Sequence, residues 1–280
     1  MSELPSAFDL SGKVAVVTGS AGLLGSGFCR TLAEAGASVV LADNNSAANE
    51  DLAARLTADG YNALAVTTDI ADPESVKSLV TQTLERFKRL DILVNSAALD
   101  PKFDPEHQDE HASSFENYAL DDWKQALDVN LTGMFLVTQA AVHPMLDQKR
   151  GVIINICSTY GLVAPDQRIY QREGQAEGYK PVYYSVTKAG VMGFTRYLAG
   201  YYAGKNIRVN ALTPGGVYNQ HEEEFVEKYA ARTMLGRMAD RSEMNSALLF
   251  LASDASSYMT GANLVVDGGY TQALLMITEQ

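Results

Sequence analysis

The feature that most limits what this chain can fold into is a repeated order: short apolar run, turn, helical pattern, next apolar run. Residues 14–18 (VAVVT) are a buried-type strand, followed at once by Gly19-Ser20-Ala21-Gly22-Leu23-Leu24-Gly25-Ser26-Gly27. A helical pattern then carries Phe28, Leu32 and Ala33 to a stop at Gly36. The unit recurs, with strands predicted at 38–42, 64–67, 92–94, 152–156, 208–212 and 264–266. Helices are predicted over 47–59, from Asp72-Pro73 onward, 120–145, 184–203 and 242–252, this last one closing the helical series. Asp72 is a capping residue and Pro73 suits a first helical position. Apolar strands alternating with helices give a parallel sheet covered on both faces, so the fold class is α/β, a doubly wound parallel sheet of about seven strands. No internal repeat, low-complexity stretch or linker interrupts residues 1–280, which read as a single domain. Two polar insertions near 99–119 and 165–181, and a charged helical flap near 217–235, lie on the substrate side.

Bulk properties exclude several function classes. With 46% hydrophobic and 20% charged residues the composition is that of a globular protein. The net charge of −12, with no basic run, argues against nucleic acid or an anionic membrane surface as partner. No apolar run approaches the roughly 20 residues of a membrane helix. The N-terminal residues lack the charged-then-apolar order of a signal peptide. Cys29 and Cys157 make no disulfide framework, so a reducing, cytoplasmic location is expected.

A strand, glycine turn and helix present bare backbone N–H groups and a helix N-terminus to an anion. Asp43 closes the second strand, 24 residues after Gly19, where a carboxylate can bind both hydroxyls of an adenosine ribose. It would repel a 2′-phosphate, and neither Ser20 nor Asn44 supplies a cation to attract one, so NAD is expected rather than NADP. Asp69-Ile70 follows the third strand, where a side chain could meet the adenine; a simple turn acid is the other reading. Asn95-Ser96-Ala97-Ala98 ends the fourth strand with small residues that let backbone approach a ligand, or let strand and helix pack. In the first insertion His107 and His111 have helical metal-ligand spacing among carboxylates, yet a solvated loop explains them better and no metal is expected. Asn130 sits inside a long helical pattern, where its amide competes for backbone bonds and hints at a kink that frees a carbonyl. Ser158 stands at the carboxyl end of the fifth strand, where open α/β sheets bind ligands.

Tyr184 and Lys188 are four residues apart, which on a helix puts both side chains on one face. A phenol is a poor base at neutral pH. A cation one turn away is expected to favour the phenolate and turn Tyr184 into a proton carrier.

Taken together, these stretches resemble the short-chain dehydrogenases/reductases. The likeness covers roughly residues 12–272 and rests on TGSAGLLG at 18–25, Asp69, NSAA at 95–98, Asn130, Ser158 followed by Gly161, YSVTK at 184–188, PGG at 214–216 and VDGG at 266–269. It implies a Rossmann-type sheet and a catalytic set of Asn130, Ser158, Tyr184 and Lys188. It also implies a dinucleotide site of Gly19, Ala21, Gly22, Leu23, Leu24, Gly25, Asp43, Asn44, Asp69, Ile70, Asn95, Ala97, Tyr184, Lys188, Pro214, Gly215, Val217 and Asn219. In that pattern Lys188 holds the nicotinamide ribose and Asn130 anchors a water linking Lys188 to solvent.

Four departures stand out. The glycines fall at 19, 22 and 25, with Leu23 where the single-domain pattern has glycine, a spacing more like that of larger nucleotide-sugar epimerases and dehydratases. NSAA replaces NNAG. Asn219 stands for a threonine that bonds the nicotinamide amide. The gap from Ser158 to Tyr184 is about twice the usual length. A further likeness is to members linked to bacterial surface-sugar or flagellin modification.

The expected function is hydride transfer between NAD(H) and a carbonyl/secondary alcohol on a polar substrate such as a sugar, polyol or nucleotide-linked sugar. The rivals are an epimerase or dehydratase with tightly bound NAD and a non-catalytic dinucleotide sensor. Wide apolar faces on the 120–145 and 182–203 helices imply a homodimer or homotetramer.

Overall fold

The computed structural model describes residues 5–100, 114–171 and 178–273. Strand β1 (Val14–Thr18) is buried at every position, because both of its faces are covered. Ala15 and Val17 point into a layer with Phe28, Cys29, Leu32, Leu248 and Leu251. Val14 and Val16 point the other way, against Leu79, Val137, Ala141 and Leu198. That is the period-two alternation of a strand read between two apolar layers, and it explains why no polar residue interrupts β1 until Thr18.

The chain continues through α1 (Gly25–Glu34), β2 (Ser38–Asp43), α2 (Ser46–Ala58), β3 (Ala63–Thr67), α3 (Pro73–Phe87) and β4 (Ile92–Asn95). Helix α3 starts as its sequence dictates: the Asp72 side chain accepts from the Glu74 N–H at 3.0 Å and Pro73 opens the first turn. Next come α4 (Leu120–Leu127), α5 (Met134–Asp147), β5 (Gly151–Ile156), α6 (Val182–Tyr201), β6 (Ile207–Pro214), α7 (Glu223–Ala230), α8 (Asn245–Ala252), β7 (Asn263–Val266) and α9 (Tyr270–Ala273). All seven strands are parallel, in the order β3-β2-β1-β4-β5-β6-β7. The register aligns Thr18 with Ala42 and Asn95, Asn95 with Asn155, and Asn155 with Ala211, so one row of residues marks the carboxyl edge of the sheet. Strand order reverses between β1 and β4, and the crevice there is where open α/β sheets bind ligands.

Three sequence expectations change. The 120–145 helix is not continuous: α4 passes through a π-helical turn at Asp128–Gly133 into α5, and Asn130 lies within that turn. The segment 242–252 begins as a 3₁₀ turn at Arg241–Met244, and it is not the last helix. Helix α9 follows because the Asp267 carboxylate accepts from the N–H groups of Gly269 and Thr271 at 2.9 and 2.8 Å, an N-terminal cap. Among the described residues no helix is long and apolar enough to cross a membrane.

One buried polar chain fixes the strand ends. Asn95 Nδ2 donates to Thr138 Oγ1 at 2.9 Å and to Asn155 Oδ1 at 2.8 Å, and Asn155 Nδ2 donates to Thr195 Oγ1 at 2.9 Å. It pins α5, β4, β5 and α6 together in an interior where an unpaired amide is costly. Replacing Asn155 with Ala removes two buried hydrogen bonds, leaving Asn95 only Thr138 and Thr195 only the Val191 carbonyl, and should lower unfolding free energy by about 2–3 kcal/mol in a denaturant titration.

Candidate active site

Everything the sequence pointed to at strand ends converges on the carboxyl edge. The glycine turn is held by backbone-to-backbone packing. A Cβ on Gly25 would lie 2.0 Å from the Gly19 carbonyl oxygen, and one on Gly19 would lie 2.7 Å from the Ala97 Cα. Gly19 also has a positive φ of 65°. Leu23, where the single-domain pattern has glycine, is half-buried. The crowded positions here are therefore 19 and 25, and the spacing is met without the pattern's middle glycine. The Thr18 hydroxyl accepts from the N–H groups of Ser96 and Ala97 at 3.1 and 3.2 Å, tying the end of β1 to the exit of β4.

These residues suit a dinucleotide. Helix α1 begins at Gly25 with no side-chain cap on its first turn, the kind of helix start that can take an anion. Asp43 is oriented toward the turn, its carboxylate accepting from Ala21 N–H at 2.9 Å and Asn45 N–H at 3.0 Å. Asn44 is exposed beside it. Asp69 is exposed and accepts from Ala71 N–H at 2.9 Å, a turn bond, while Ile70 is buried against Gly133. The Asn95 side chain points into the sheet, where its Nδ2 donates to Thr138 and Asn155, so what it offers at the edge is its backbone, the approach that the small residues at 95–98 allow. At the end of β6, Gly215 N–H bonds the Val266 carbonyl, Val217 bridges to Ala239, and Asn219 N–H donates to His221 Nδ1 at 3.1 Å.

Ser158, Tyr184 and Lys188 come together where the turn after β5 lies against α6. Gly161 makes that contact possible, since a Cβ there would sit 2.6 Å from the Lys188 carbonyl. The Lys188 ammonium is 6% exposed and donates to the Ile156 carbonyl at 3.0 Å, and the Cys157 thiol approaches the Lys188 carbonyl at 3.2 Å. Lys188 Nζ lies 5.7 Å from the Tyr184 ring centre. Asn130 braces the other side: its Oδ1 accepts from Leu99 N–H at 2.6 Å, and its Nδ2 donates to the Leu99 carbonyl at 3.1 Å and Thr187 Oγ1 at 3.3 Å. The π turn beneath it supplies the irregularity that an interior asparagine foreshadows.

Electrostatics depart from the expected picture. Burial pushes the Tyr184 phenol up, the Asp100 carboxylate adds to that, and the Ser158 hydroxyl works the other way. Burial likewise pushes the Lys188 ammonium down. The resting phenol is a neutral proton donor, because desolvation outweighs a lysine whose head is turned to a carbonyl.

A ring of aromatic side chains backs the site. Tyr160 meets Tyr184 edge-on at 6.4 Å and Tyr270 at 6.1 Å, and its hydroxyl accepts from the Tyr170 hydroxyl at 3.0 Å. Tyr229 stacks on Tyr270 at 4.9 Å, and its hydroxyl accepts from Gly216 N–H at 2.5 Å. No local pattern marks this cluster, and sequence reasoning does not single out Thr18, Thr187 or Asp100 as site residues. Thr18 alone had a local signal, its place immediately before the glycine turn. His107, His111 and the acids at 104, 106, 109 and 110 lie outside the described residues, as does Arg172. Among the described residues no group of three His, Cys, Asp or Glu side chains could hold a metal ion.

A dinucleotide crevice beside a Ser/Tyr/Lys cluster defines an α/β oxidoreductase site. A family model described as enoyl-(acyl carrier protein) reductase matches residues 19–271. The cis-4-hydroxycyclohexanecarboxylate dehydrogenase of Sinomonas cyclohexanicum is 37% identical over 263 residues, 92% of this chain and 96% of its own. The D-threitol dehydrogenase of Mycolicibacterium smegmatis is 35% identical over 269 residues, 94% of this chain and 95% of its own. A solved structure of a gluconate 5-dehydrogenase from Burkholderia cenocepacia in complex with NADP and tartrate has a TM-score of 0.83 at 31% identity, covering 96% of this chain and 98% of that one. The chain belongs to the short-chain dehydrogenase/reductase family, and it is a nicotinamide-dinucleotide-dependent oxidoreductase acting on CH–OH groups. The epimerase and sensor alternatives are not favoured, and the glycine spacing that prompted the first sits comfortably in a family dehydrogenase. Gly25→Ala should weaken dinucleotide binding at least about tenfold, measured by quenching of protein fluorescence, because relieving a 2.0 Å clash must displace the turn.

Proposed function

We propose that the chain moves a hydride between NAD(H) and the carbonyl/secondary-alcohol pair of a small polar substrate, with Tyr184 exchanging the proton at the substrate oxygen. The observation that carries this reading is the convergence of Ser158, Tyr184 and Lys188 at the carboxyl edge, with Asn130 bracing Thr187 on the same helix. The bound dinucleotide supplies the hydride chemistry; the chain supplies placement and electrostatics. Ser158 donates to the oxygen on which charge develops, a contact often worth about 3–4 kcal/mol. Lys188 holds the dinucleotide ribose and stabilises the phenolate that Tyr184 becomes once its proton is given up. Asn130 keeps the exit of β4 and the start of α6 in register and anchors the water that links Lys188 to solvent.

NAD is favoured by Asp43, whose carboxylate faces the glycine turn. Asn44 beside it offers no cation for a 2′-phosphate. NADP is the runner-up, since the gluconate 5-dehydrogenase neighbour holds it. The relatives' names span a polyol, a sugar acid and a carbocyclic hydroxy acid, which supports a polyol or hydroxy acid over a nucleotide-linked sugar. Outward aromatic residues on α5 and α6, among them Phe135, Tyr197 and Tyr201, support a homodimer or homotetramer. Two buried, free cysteines suit a cytoplasmic location.

Tyr184→Phe should leave NADH binding intact and cut turnover at least about 100-fold, the scale of a lost positioned acid/base; near-normal turnover would refute the assignment. The sign of the pH dependence follows from the raised phenol. Carbonyl reduction uses the protonated form and should hold through neutral pH, whereas alcohol oxidation should rise with pH. In a separate test, the wild type should show a kcat/KM for NAD about tenfold or more above that for NADP, and the double change Asp43→Ser with Asn44→Arg should reverse the order.

A further inference from the structure

Lys180 ends the second insertion, two residues before α6, and its place is fixed at three points. Its N–H donates to Gln167 Oε1 at 2.9 Å and its carbonyl accepts from Gln167 Nε2 at 3.3 Å, so one side chain clamps its backbone. Its ammonium lies 4.0 Å from the centre of the Tyr184 ring. The same ammonium pairs with Asp100 Oδ1 at 2.5 Å, where the Lys180 side chain is 15% exposed and that of Asp100 43%. Asp100 follows Leu99, which Asn130 grips through both its N–H and its carbonyl. A cation and a carboxylate are thus delivered to the face of Tyr184 by two separate loops, each anchored to the site.

The Asp100 half of this pair is open to solvent, so the pair adds little to stability by itself. Its position is better explained by what it can recognise. A carboxylate received by the ammonium would leave its carbon chain lying across the Tyr184 ring toward the hydroxyl. We propose that Lys180 is the receptor for a substrate carboxylate, and that Asp100 occupies the position which an acidic substrate takes over. The inference rests on the hydride-transfer reading above and narrows its substrate to hydroxy acids and the matching oxo acids.

The surrounding charges agree with a single carboxylate. Lys188 is committed to the Ile156 carbonyl, while Arg168 and Arg232 both bond Asp166. A phosphate would call for a fork of guanidinium donors, which among the described residues here those commitments leave neither Arg168 nor Arg232 to supply. His221, stacked on Phe225 at 5.0 Å, is kept neutral by burial and by Lys180, so it brings no competing charge. Tyr160, Tyr170 and Phe225 offer an apolar wall to the carbon skeleton.

Two matched pairs test this: gluconate against glucitol, and 4-hydroxycyclohexanecarboxylate against its carboxamide. The readout is the ratio of kcat/KM, acid over neutral partner. Lys180→Met should lower the ratio at least tenfold, mainly through KM for the acid. Lys180→Arg should restore most of it, and Asp100→Asn should raise it by removing the internal competitor. A bracing pair would move acid and neutral partner alike; equal losses, no loss, or a fall in the ratio for Asp100→Asn would overturn the assignment. Calorimetry with cyclohexanecarboxylate and cyclohexanecarboxamide, which carry no hydroxyl to oxidise, separates this from the parent reading. Selective binding of the acid that is lost in Lys180→Met supports the Lys180 site even if no alcohol is turned over. Absence of that selectivity sinks the Lys180 site whatever turnover shows.

Discussion

The structure turns on the contact between the end of β5 and the first turns of α6. A glycine with no side chain lets the Ser158 turn lie on the Lys188 backbone, the Lys188 head reaches back to the Ile156 carbonyl, and the Cys157 thiol meets the Lys188 carbonyl. Strand and helix are joined by contacts that involve the same residues that would do the chemistry. A site assembled this way has little play, because moving α6 away breaks a hydrogen bond to a buried cation. The buried Asn95–Asn155–Thr195 chain extends the same constraint into the sheet, so the row of strand ends and the helix carrying Tyr184 keep one relative position.

Within that frame two forces on Tyr184 compete, and burial prevails. The simple expectation from a lysine one helical turn away is an acidified phenol. Here the lysine faces a carbonyl, Asp100 adds negative charge, and the aromatic wall of Tyr160, Tyr170 and Tyr270 excludes water. The consequence is directional. A phenol held neutral is a ready proton donor, and its conversion to phenolate must be supported by charges that act once the proton leaves. Among the described residues Lys188 and Lys180 bring ammonium groups close to the ring, at 5.7 and 4.0 Å.

Much of the fold was legible because it depends on local signals. The apolar runs at 14–18 and 152–156 have no polar face, which only a sheet covered on both sides allows, and Asp72-Pro73 started α3 where a cap and a proline should. Helix α9 was not legible, since its cap, Asp267, reads equally well as part of a turn. The site was legible where a residue acts through its own spacing, as with Tyr184 and Lys188. It was not legible where function depends on a partner distant in sequence. Nothing local to Asn95 signals that its side chain turns inward to Asn155, 60 positions away. Lys180 carries no local signal of a role, because the Asp100 that the fold sets against it lies 80 positions away.

That last pairing is made by the part of the chain that departs most from the family pattern, the long gap between Ser158 and Tyr184. The β5–α6 contact, made at Gly161 and Lys188, holds Tyr184 in place across the longer loop that joins the two elements. The extra residues between Ser158 and Tyr184 can therefore vary without disturbing catalysis. Here they return to the site through Gln167, which clamps Lys180, and through Asp166, which ties the loop to Arg232 beyond α7 at 2.6 Å. Ionisation of Asp166 is favoured first by Arg168 and also by Arg232, so the tie persists well below neutral pH. A rigid centre and an independently anchored rim would separate the two proposed tasks, proton and hydride transfer at the centre and choice of alcohol at the rim.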